Sequence, residues 1–341
     1  MNSAAEQISP FGEMPCGESA YRIEIAAGGL SAAIITYGAA VQELRLMGFP
    51  RSLVLGLNTL EDYIAHSPHF GAIAGRVANR IAFGKFSIDG ITNQADQNID
   101  GTHTLHGGAE GFGVRNWRIE DHGPDFVTLR LESGDGDMGF PGGLVARCRY
   151  SITEDQGLRV ELSAKTDAPT LCNLAHHSYF NLDGEGDILS HEIMIDADEI
   201  TQMSDQLLTT GELFNVTGTM FDLREFRQVS TGKADGSLRY DHNYCLSRKR
   251  VDLRQVAIVK AANSGITMRV STTEPGLQFY DGAKVAMPVT GIDGRTYGAN
   301  AGLCLEAQFW PDAPNHENFP DITLRPGETY RQITEYRFEL R

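Results

Sequence analysis

Cysteine is scarce in this sequence, and no two cysteines stand close enough to form a metal-binding pair. The chain has 341 residues and five cysteines, an odd number without a Cys-x-x-Cys motif. They are Cys16, Cys148, Cys172, Cys245 and Cys304. This spacing excludes a zinc knuckle and disfavours the disulfide framework of a small secreted domain. We therefore expect reduced thiols and a cytoplasmic protein.

Long apolar runs and positive charge are also lacking. No stretch of eighteen or more apolar residues occurs, so a membrane-spanning helix is not expected. Residues 1–23 show no basic region followed by an apolar one, so they do not resemble a secretion signal. The chain has 29 Lys and Arg against 45 Asp and Glu, which gives a net charge of −16. Such acidity repels nucleic acid and anionic lipid, so we expect neither as a partner.

Helical periodicity is confined to two short stretches, residues 57–66 and 223–232. Apolar and polar residues alternate elsewhere, most clearly in 144–152 and 158–165, as in half-buried strands. Further alternating segments lie at 125–133, 191–197, 265–273 and 336–341. Asp-Gly pairs, which suit tight hairpin turns, occur at 89–90, 100–101, 135–136, 183–184, 235–236, 281–282 and 293–294. The pattern predicts an all-β fold, an antiparallel sandwich or barrel with few short helices.

No linker, composition break or repeat divides the chain, so we expect residues 1–341 to form a single domain.

Two of its polar stretches are candidate binding segments. GRVANRI (75–81) carries Asn79 and Arg80, which can donate hydrogen bonds to an oxygen-rich ligand or lie on a solvated turn. HTLHGG (103–108) carries His103 and His106, but the two glycines disfavour the helix that would bring both onto one metal.

Two histidines stand side by side in LAHHSYFNL (174–182). Neighbouring residues of an extended chain point to opposite faces, so His176 and His177 cannot both enter one pocket. His177 shares its face with Tyr179, which would place a titratable ring beside an aromatic one. A purely structural histidine is the alternative.

Three further polar residues lie in apolar or aromatic surroundings. Asp241 and Gln278 stand among aromatic residues, as the polar groups of a sugar site do, although turns and edge strands have the same composition. Glu306 lies in a strand-like run whose other face is apolar, so the residue is either exposed or buried for a reason. Burial raises the pKa of a glutamate, which makes it a useful base near neutral pH.

Taken together and in order, several segments resemble the aldose 1-epimerase (galactose mutarotase) family. They are GRVANRIAFGKFSIDG, TLHGG, NLAHHSYFNL, YDHNY, TEPGLQFYDG, CLEAQFWPDAPN and LRPGETYRQITEYRF. The resemblance implies the large antiparallel β-sandwich of galactose mutarotases, the supersandwich. It also implies interconversion of the α and β anomers of a free aldose such as galactose or glucose. No cofactor or metal is implied, the expected partner is a monosaccharide, and the protein is expected to be a monomer or homodimer.

The resemblance also assigns residues, position by position. Glu306 is implied as the base and His177 as the acid, with His106 as a further catalytic histidine. The implied sugar contacts are Asn79, Arg80, Tyr179, Asp241 and Gln278. The base would remove the anomeric proton while the acid protonates the ring oxygen, so that the ring opens, C1–C2 rotates and the ring closes. We expect Glu306 and His177 on opposite sides of the sugar, and a nearby carboxylate to keep His177 protonated.

Two positions depart from the family pattern. His176 stands where the family commonly has Asn, and alternation predicts that it points away from the pocket. Residues Gly111-Phe112-Gly113 stand where the family tends toward Gly-Phe-Asp, which can alter substrate preference or a nearby loop.

Three other functions remain open at this stage. An epimerase of phosphorylated hexoses would need several cations around the phosphate, for which Arg76, Arg80 and Arg115 are candidates. A non-catalytic sugar-binding module would bind sugar without accelerating its mutarotation. A metal-dependent hydrolase would use His103, His106, His176 and His177, although their spacing does not support a shared metal.

Overall fold

Antiparallel strands make up most of the regular structure in the computed structural model, which describes residues 7–67, 69–230 and 240–340. In chain order the first strands are β1 (Ile8–Glu13), β2 (Ser19–Ala27), β3 (Leu30–Ile35), β4 (Ala40–Leu46), β5 (Ile73–Ala74), β6 (Arg80–Ile81), β7 (Lys85–Ile88), β8 (Ile91–Gln94), β9 (Thr104–Leu105), β10 (Arg118–Gly123), β11 (Phe126–Ser133), β12 (Leu144–Ile152) and β13 (Gly157–Thr166).

The remaining strands are β14 (Thr170–Leu171), β15 (Ala175–His176), β16 (Tyr179–Phe180), β17 (Glu192–Ile195), β18 (Glu199–Met203), β19 (Thr209–Asn215), β20 (Arg227–Gln228), β21 (Asp241–Cys245), β22 (Arg254–Lys260), β23 (Ile266–Thr272), β24 (Gly276–Tyr280), β25 (Leu303–Gln308), β26 (Thr323–Leu324) and β27 (Tyr330–Leu340). One α-helix, α1, spans Leu60–His66, and short 3-10 turns lie at Ala82–Gly84, Phe112–Val114, Asp137–Gly139, Ile292–Gly294 and Ala313–Asn315.

Three sheets contain most of these strands. The largest has nine strands in the order β10-β11-β12-β13-β27-β23-β22-β17-β20. The second has six strands, β16-β25-β24-β21-β18-β19, and the third has four, β1-β2-β3-β4. Neighbouring strands in all three pair antiparallel across the described residues.

The predicted alternation appears directly as burial. Along β12, every second residue from Leu144 to Ile152 is buried, and Cys148 lies opposite Leu162 of β13. The buried faces of the nine-, six- and four-stranded sheets share one hydrophobic core, which contains both Leu162 of β13 and Leu305 of β25. Burying a leucine in this way stabilises the fold by about 1.5–3 kcal/mol. The prediction of a large antiparallel β-sandwich is confirmed.

The first predicted helix is present, and the described part of the second, residues 223–230, contains no α-helix. Thr59 caps α1 by accepting a hydrogen bond from the Asp62 backbone N–H, as residues at this position commonly do. Residues 227 and 228 instead form β20, where Arg227 pairs with Ile193 of β17. Leu223 and Val229 both enter the main core from this segment, so tertiary burial overrides the local helical pattern. Residues 231 and 232 lie outside the described residues.

The Asp-Gly pair at 89–90 forms the expected tight hairpin turn. Asp89 and Gly90 join β7 to β8, and both have positive φ angles, 51° and 79°. Each of the other glycines of these pairs also has a positive φ, except at 235–236, which lies outside the described residues. Glycine adopts this conformation at little cost, which is why the pairs mark the turns.

The structure bears on two expectations from the sequence, namely reduced cysteines and the lack of a membrane-spanning helix. All five cysteines are free thiols, and burial raises the pKa of Cys172 to about 12. A buried thiol of this kind is unreactive because the nucleophile is the thiolate. In the part of the chain that the structure describes, no helix has the length and apolar character needed to cross a membrane.

Candidate active site

One face of the six-stranded sheet presents polar residues in two rows. In the first row, Tyr179, Cys304, Tyr280 and Asp241 lie opposite one another on β16, β25, β24 and β21. The second row contains Glu306, Gln278 and Asn243. Directly paired residues point to the same face of a sheet, so strand order and register bring these groups together.

Glu306 lies in the middle of β25, a strand that is buried on both faces. Leu305 points the other way into the main core, and its carbonyl accepts a 2.9 Å hydrogen bond from Tyr336 Oη. Glu306 is only 2% exposed. Burial, together with the charge of Asp241, raises the pKa of Glu306 well above its usual value, while Arg80 opposes the rise. The carboxyl therefore has the properties expected of a base that works near neutral pH.

His177 directly follows β15 and is fixed through its backbone. Its N–H donates to the Ala72 carbonyl at 2.9 Å, and its carbonyl accepts from the Gly71 N–H at 3.1 Å. Its Nε2 lies 3.5 Å from Glu306 Oε2, and its Nδ1 lies 3.6 Å from Cys304 Sγ. Acid and base candidates from separate segments are thus in direct contact.

The expectation that a carboxylate keeps His177 protonated is wrong for the free protein. Burial, with smaller contributions from the neighbouring histidines His69 and His176, lowers the pKa of His177 to about 3. The imidazole is buried as deeply as the carboxyl, so removal from water disfavours the charged form of each. The expected arrangement on opposite sides of a sugar is also wrong, because a gap of 3.5 Å leaves no room for a pyranose between them.

His176 points away from this face, as alternation predicts. Its Nδ1 lies 3.3 Å from Tyr150 Oη, and its ring centroid lies 5.7 Å from that of Tyr336. Tyr150 Oη donates to the Ala39 carbonyl at 2.7 Å, so the proton between Tyr150 and His176 belongs on the histidine Nδ1. His176 is therefore part of the core behind the site.

His106 and Asn79 are hydrogen-bonded to each other at the end of the two-stranded sheet of β6 and β9. The His106 N–H donates to the Asn79 carbonyl at 3.0 Å, and the Asn79 N–H donates to His106 Nδ1 at 3.2 Å. The accepting role of Nδ1 places the ring proton on Nε2. Burial, followed by the neighbouring histidines His69 and His177 and then Arg80, lowers the pKa of His106 well below its usual value. The residue is therefore a neutral hydrogen-bond donor.

Arg80, Tyr179, Gln278 and Asp241 complete the group that the sequence predicts. The Tyr179 ring lies 5.1 Å from that of His177 at an angle of 31°. Gln278 Nε2 donates to Asp241 Oδ1 at 2.7 Å, while its buried Oε1 has no partner among the described residues. Arg80 is 9% exposed and its charge acts on both Glu306 and His106. The structure brings all eight predicted residues together.

A metal set of four histidines does not form. His103 Nδ1 accepts a hydrogen bond from the Phe83 N–H, and His176 lies in the core. Within the described ranges, one group of possible ligands converges: His106, His177 and Glu306, whose ligand atoms lie within 4.8 Å of one another. Three protein ligands are the number that catalytic zinc sites use, so chelation is a necessary test.

Two residues at the site were missed by sequence reasoning. Cys304 contacts His177, and its position two residues before Glu306 in an alternating strand could have placed it on the same face. His69 lies with its ring centroid 4.8 Å from that of His106 and 6.0 Å from that of His177. It belongs to a turn six residues before the first quoted motif, which begins at Gly75, and its own segment carries no signal that identifies it.

Comparison with known proteins gives a consistent result. A model of the aldose 1-epimerase family matches residues 21–337. The chain is 38% identical over 341 residues to the galactose mutarotase of Bos taurus, with 97% of each chain covered. It is 37% identical over 322 residues to the aldose 1-epimerase of Escherichia coli, with 91% of this chain and 92% of that one covered. The solved structure of a GalM/aldose epimerase homologue from C. elegans superposes with a TM-score of 0.87 at 32% identity, covering 94% of this chain and 98% of that one.

Proposed function

Because this chain belongs to the aldose 1-epimerase family, we propose that Glu306 and His177 perform the acid–base steps of that family's reaction. The protein is an isomerase that interconverts the α and β anomers of aldoses. Its substrate is a monosaccharide, and the mammalian relatives named galactose mutarotase support galactose as one such sugar.

The observation that supports this assignment most strongly is the contact between a buried carboxyl and a buried imidazole. Glu306 and His177 are 2% and 5% exposed, and Glu306 Oε2 lies 3.5 Å from His177 Nε2. The anomeric oxygen and the ring oxygen of an aldose are bonded to the same carbon. Two neighbouring groups on one side of that carbon can therefore each contact one of these oxygens.

The two groups also share one proton. Burial lowers the pKa of His177 to about 3 and raises the pKa of Glu306, so in the free protein the proton belongs on the carboxyl. Moving it to His177 gives a carboxylate base and an imidazolium acid without any change in the number of protons bound. Removal of the anomeric proton by Glu306 and protonation of the ring oxygen by His177 then open the ring, and the reverse transfers close it.

The surrounding residues are suited to hold a sugar. Arg80 and His106 Nε2 are donors that can stabilise negative charge developing on oxygen during ring opening. Asp241 accepts from Gln278 and can accept from a sugar hydroxyl as well. Asn79 uses its side-chain oxygen to accept from the Arg80 N–H at 2.9 Å, which leaves its amino group for a ligand. Tyr179 supplies an aromatic face beside the reacting groups.

The arginines proposed for a phosphorylated substrate are already engaged. Arg76 is 2% exposed, and its guanidinium donates to carbonyl and hydroxyl oxygens of Ser133, Gly134, Pro141, Gly142 and Thr170. Arg115 bonds Asp137 and the Glu110 carbonyl. Only Arg80 of the three remains near the catalytic pair, which supports an unphosphorylated aldose.

We also propose a single domain, because one hydrophobic core draws residues from Ile23 to Phe338. A single cooperative unfolding transition would agree with this. Free thiols are consistent with a cytoplasmic location. A monomeric or homodimeric state is to be established by sedimentation.

The function is tested by polarimetry on freshly dissolved α-galactose. The protein should accelerate the approach to the equilibrium rotation, and it should act more slowly on galactose 6-phosphate. Binding of galactose without acceleration would instead identify a sugar-binding module.

A further inference from the structure

A third histidine stands beside the catalytic pair, in a turn that is tied to His177. The His177 N–H donates to the Ala72 carbonyl, and the Gly71 N–H donates to the His177 carbonyl. The Ala72 N–H in turn donates to the His69 carbonyl at 3.1 Å. His69 is thus held at a fixed place relative to the proposed acid.

The two ring nitrogens of His69 differ in their surroundings. Nδ1 is buried and has no hydrogen-bond partner among the described residues. Nε2 is not among the buried atoms that lack a hydrogen-bond partner, and the residue as a whole is half-buried. A buried N–H without a partner is rarer than a buried acceptor without one, so the ring proton belongs on Nε2.

The backbone of His69 has a conformation that few residues adopt. Its φ angle is 65°, in the left-handed region that favours glycine and asparagine. Side chains held in this region cluster at ligand sites, where the surrounding structure fixes them. Here the hydrogen bond that the Ala72 N–H donates to the His69 carbonyl and the ring contact with His106 provide that support.

Gly113 provides the space that the His69 ring occupies. A Cβ atom built on Gly113 would lie 2.9 Å from His69 Nδ1 and no closer than 3.4 Å to any other atom. Gly113 has an ordinary backbone conformation, so the contact with His69 is the only one under 3.4 Å that an added Cβ would make with the described residues. Gly113 is also one of the two departures from the family pattern, where aspartate is usual.

We propose that His69 is a specificity-determining residue whose Nε2–H donates a hydrogen bond to a hydroxyl of the bound sugar, and that Gly113 is required for this position of the ring. The inference rests on the proposed function, because it places the sugar against Glu306 and His177. Burial lowers the pKa of His69 to about 4, so its ring is neutral at physiological pH and acts as a donor rather than as an acid.

The test uses His69→Asn, because asparagine suits the left-handed conformation and its shorter side chain withdraws the donor. Rates of mutarotation are measured for galactose and for the four galactoses that lack the hydroxyl at C2, C3, C4 or C6. We expect kcat/KM to fall about 5- to 10-fold for galactose, as for a lost neutral hydrogen bond. The loss should vanish for one deoxysugar, the one that lacks the partner hydroxyl.

Gly113→Ala provides an independent variant. The added Cβ should displace the His69 ring, so kcat/KM should change across the five sugars as it does in His69→Asn. In the His69→Asn background, Gly113→Ala should lower kcat/KM no further. The matched controls are His66→Asn, at an exposed histidine of α1, and Gly134→Ala, where an added Cβ meets no atom within 4 Å. Both controls should retain full activity.

The outcomes separate this inference from the function on which it rests. An unchanged kcat/KM in His69→Asn, or an equal loss on all five sugars, would overturn the role of His69. If Gly113→Ala lowers kcat/KM by the same factor in the unaltered protein and in the His69→Asn variant, the role of Gly113 is overturned. If the unaltered protein does not accelerate mutarotation at all, the proposed function itself fails.

Discussion

Glu306 Oε2 and His177 Nε2 lie 3.5 Å apart in a buried pocket, and Glu306 Oε2 has no hydrogen bond to any other group in the described ranges. Burial, rather than this closeness, explains why the pKa of Glu306 rises while the pKa of His177 falls. Both side chains lose water, and loss of water favours the neutral carboxyl and the neutral imidazole.

Glu306→Gln and His177→Asn should each reduce kcat for mutarotation by about 10²- to 10⁴-fold, because each removes one positioned proton transfer. Polarimetry measures the rate, and circular dichroism checks that the variants fold. Cys304→Ser, which keeps a polar group beside His177, is the matched control and should lose much less. Full activity in either of the first two variants would refute the assignment.

His176→Asn should retain most of the activity, because His176 contacts Tyr150 and Tyr336 behind the site rather than the pocket. The asparagine amide can donate to Tyr150 Oη as the ring Nδ1 does. The mutarotation rate and the thermal midpoint are the two measurements. A loss of rate comparable with that of His177→Asn, without a change in stability, would show that His176 has a direct part in the reaction.

The pH dependence of kcat/KM should show no inflection near pH 6.5, where an ordinary histidine titrates. The pKa of His177 is lowered to about 3, so the pair gains a second proton only in strong acid. The pKa of Glu306 is raised, so the pair loses its shared proton on the alkaline side, and activity should fall there. Initial rates across the pH range test this, and an acid limb centred near 6.5 would contradict it.

Chelation should leave the activity unchanged. His106, His177 and Glu306 have the spacing of a three-ligand metal set, but their proposed roles need free nitrogen and oxygen atoms. Dialysis against EDTA, followed by rate measurement and metal analysis, distinguishes the two uses. A loss of rate that added Zn²⁺ restores would make these residues metal ligands. Inhibition by added Zn²⁺ would agree with the acid–base assignment.

Arg76→Met should lower the free energy of unfolding by about 2–4 kcal/mol, because it leaves several buried carbonyl groups without a donor. Urea titration measures the change. The control is Arg147→Met, which removes a surface ion pair with Glu120 and should have little effect. If the two variants are equally stable, the network around Arg76 contributes less than its hydrogen bonds indicate.

The local pattern of residues already specified much of the molecule. Alternation located β12 and β13, Asp-Gly pairs located turns such as 89–90, and the adjacency of His176 and His177 required them to face opposite ways. Each of these features follows from the geometry of an extended chain over a few residues, so it can be predicted from the sequence without the tertiary structure. The family resemblance supplied the identities of the site residues.

Other features depended on contacts between distant segments. The register that aligns Glu306 with Gln278, the arrival of His69 beside His177, and the space left by Gly113 arise only when the strands pack together. The same is true of the pKa of His177, which was expected to rise beside a carboxylate and instead falls. A charge interaction can be anticipated from residue types, but the loss of water that outweighs it depends on how completely the folded chain encloses the ring.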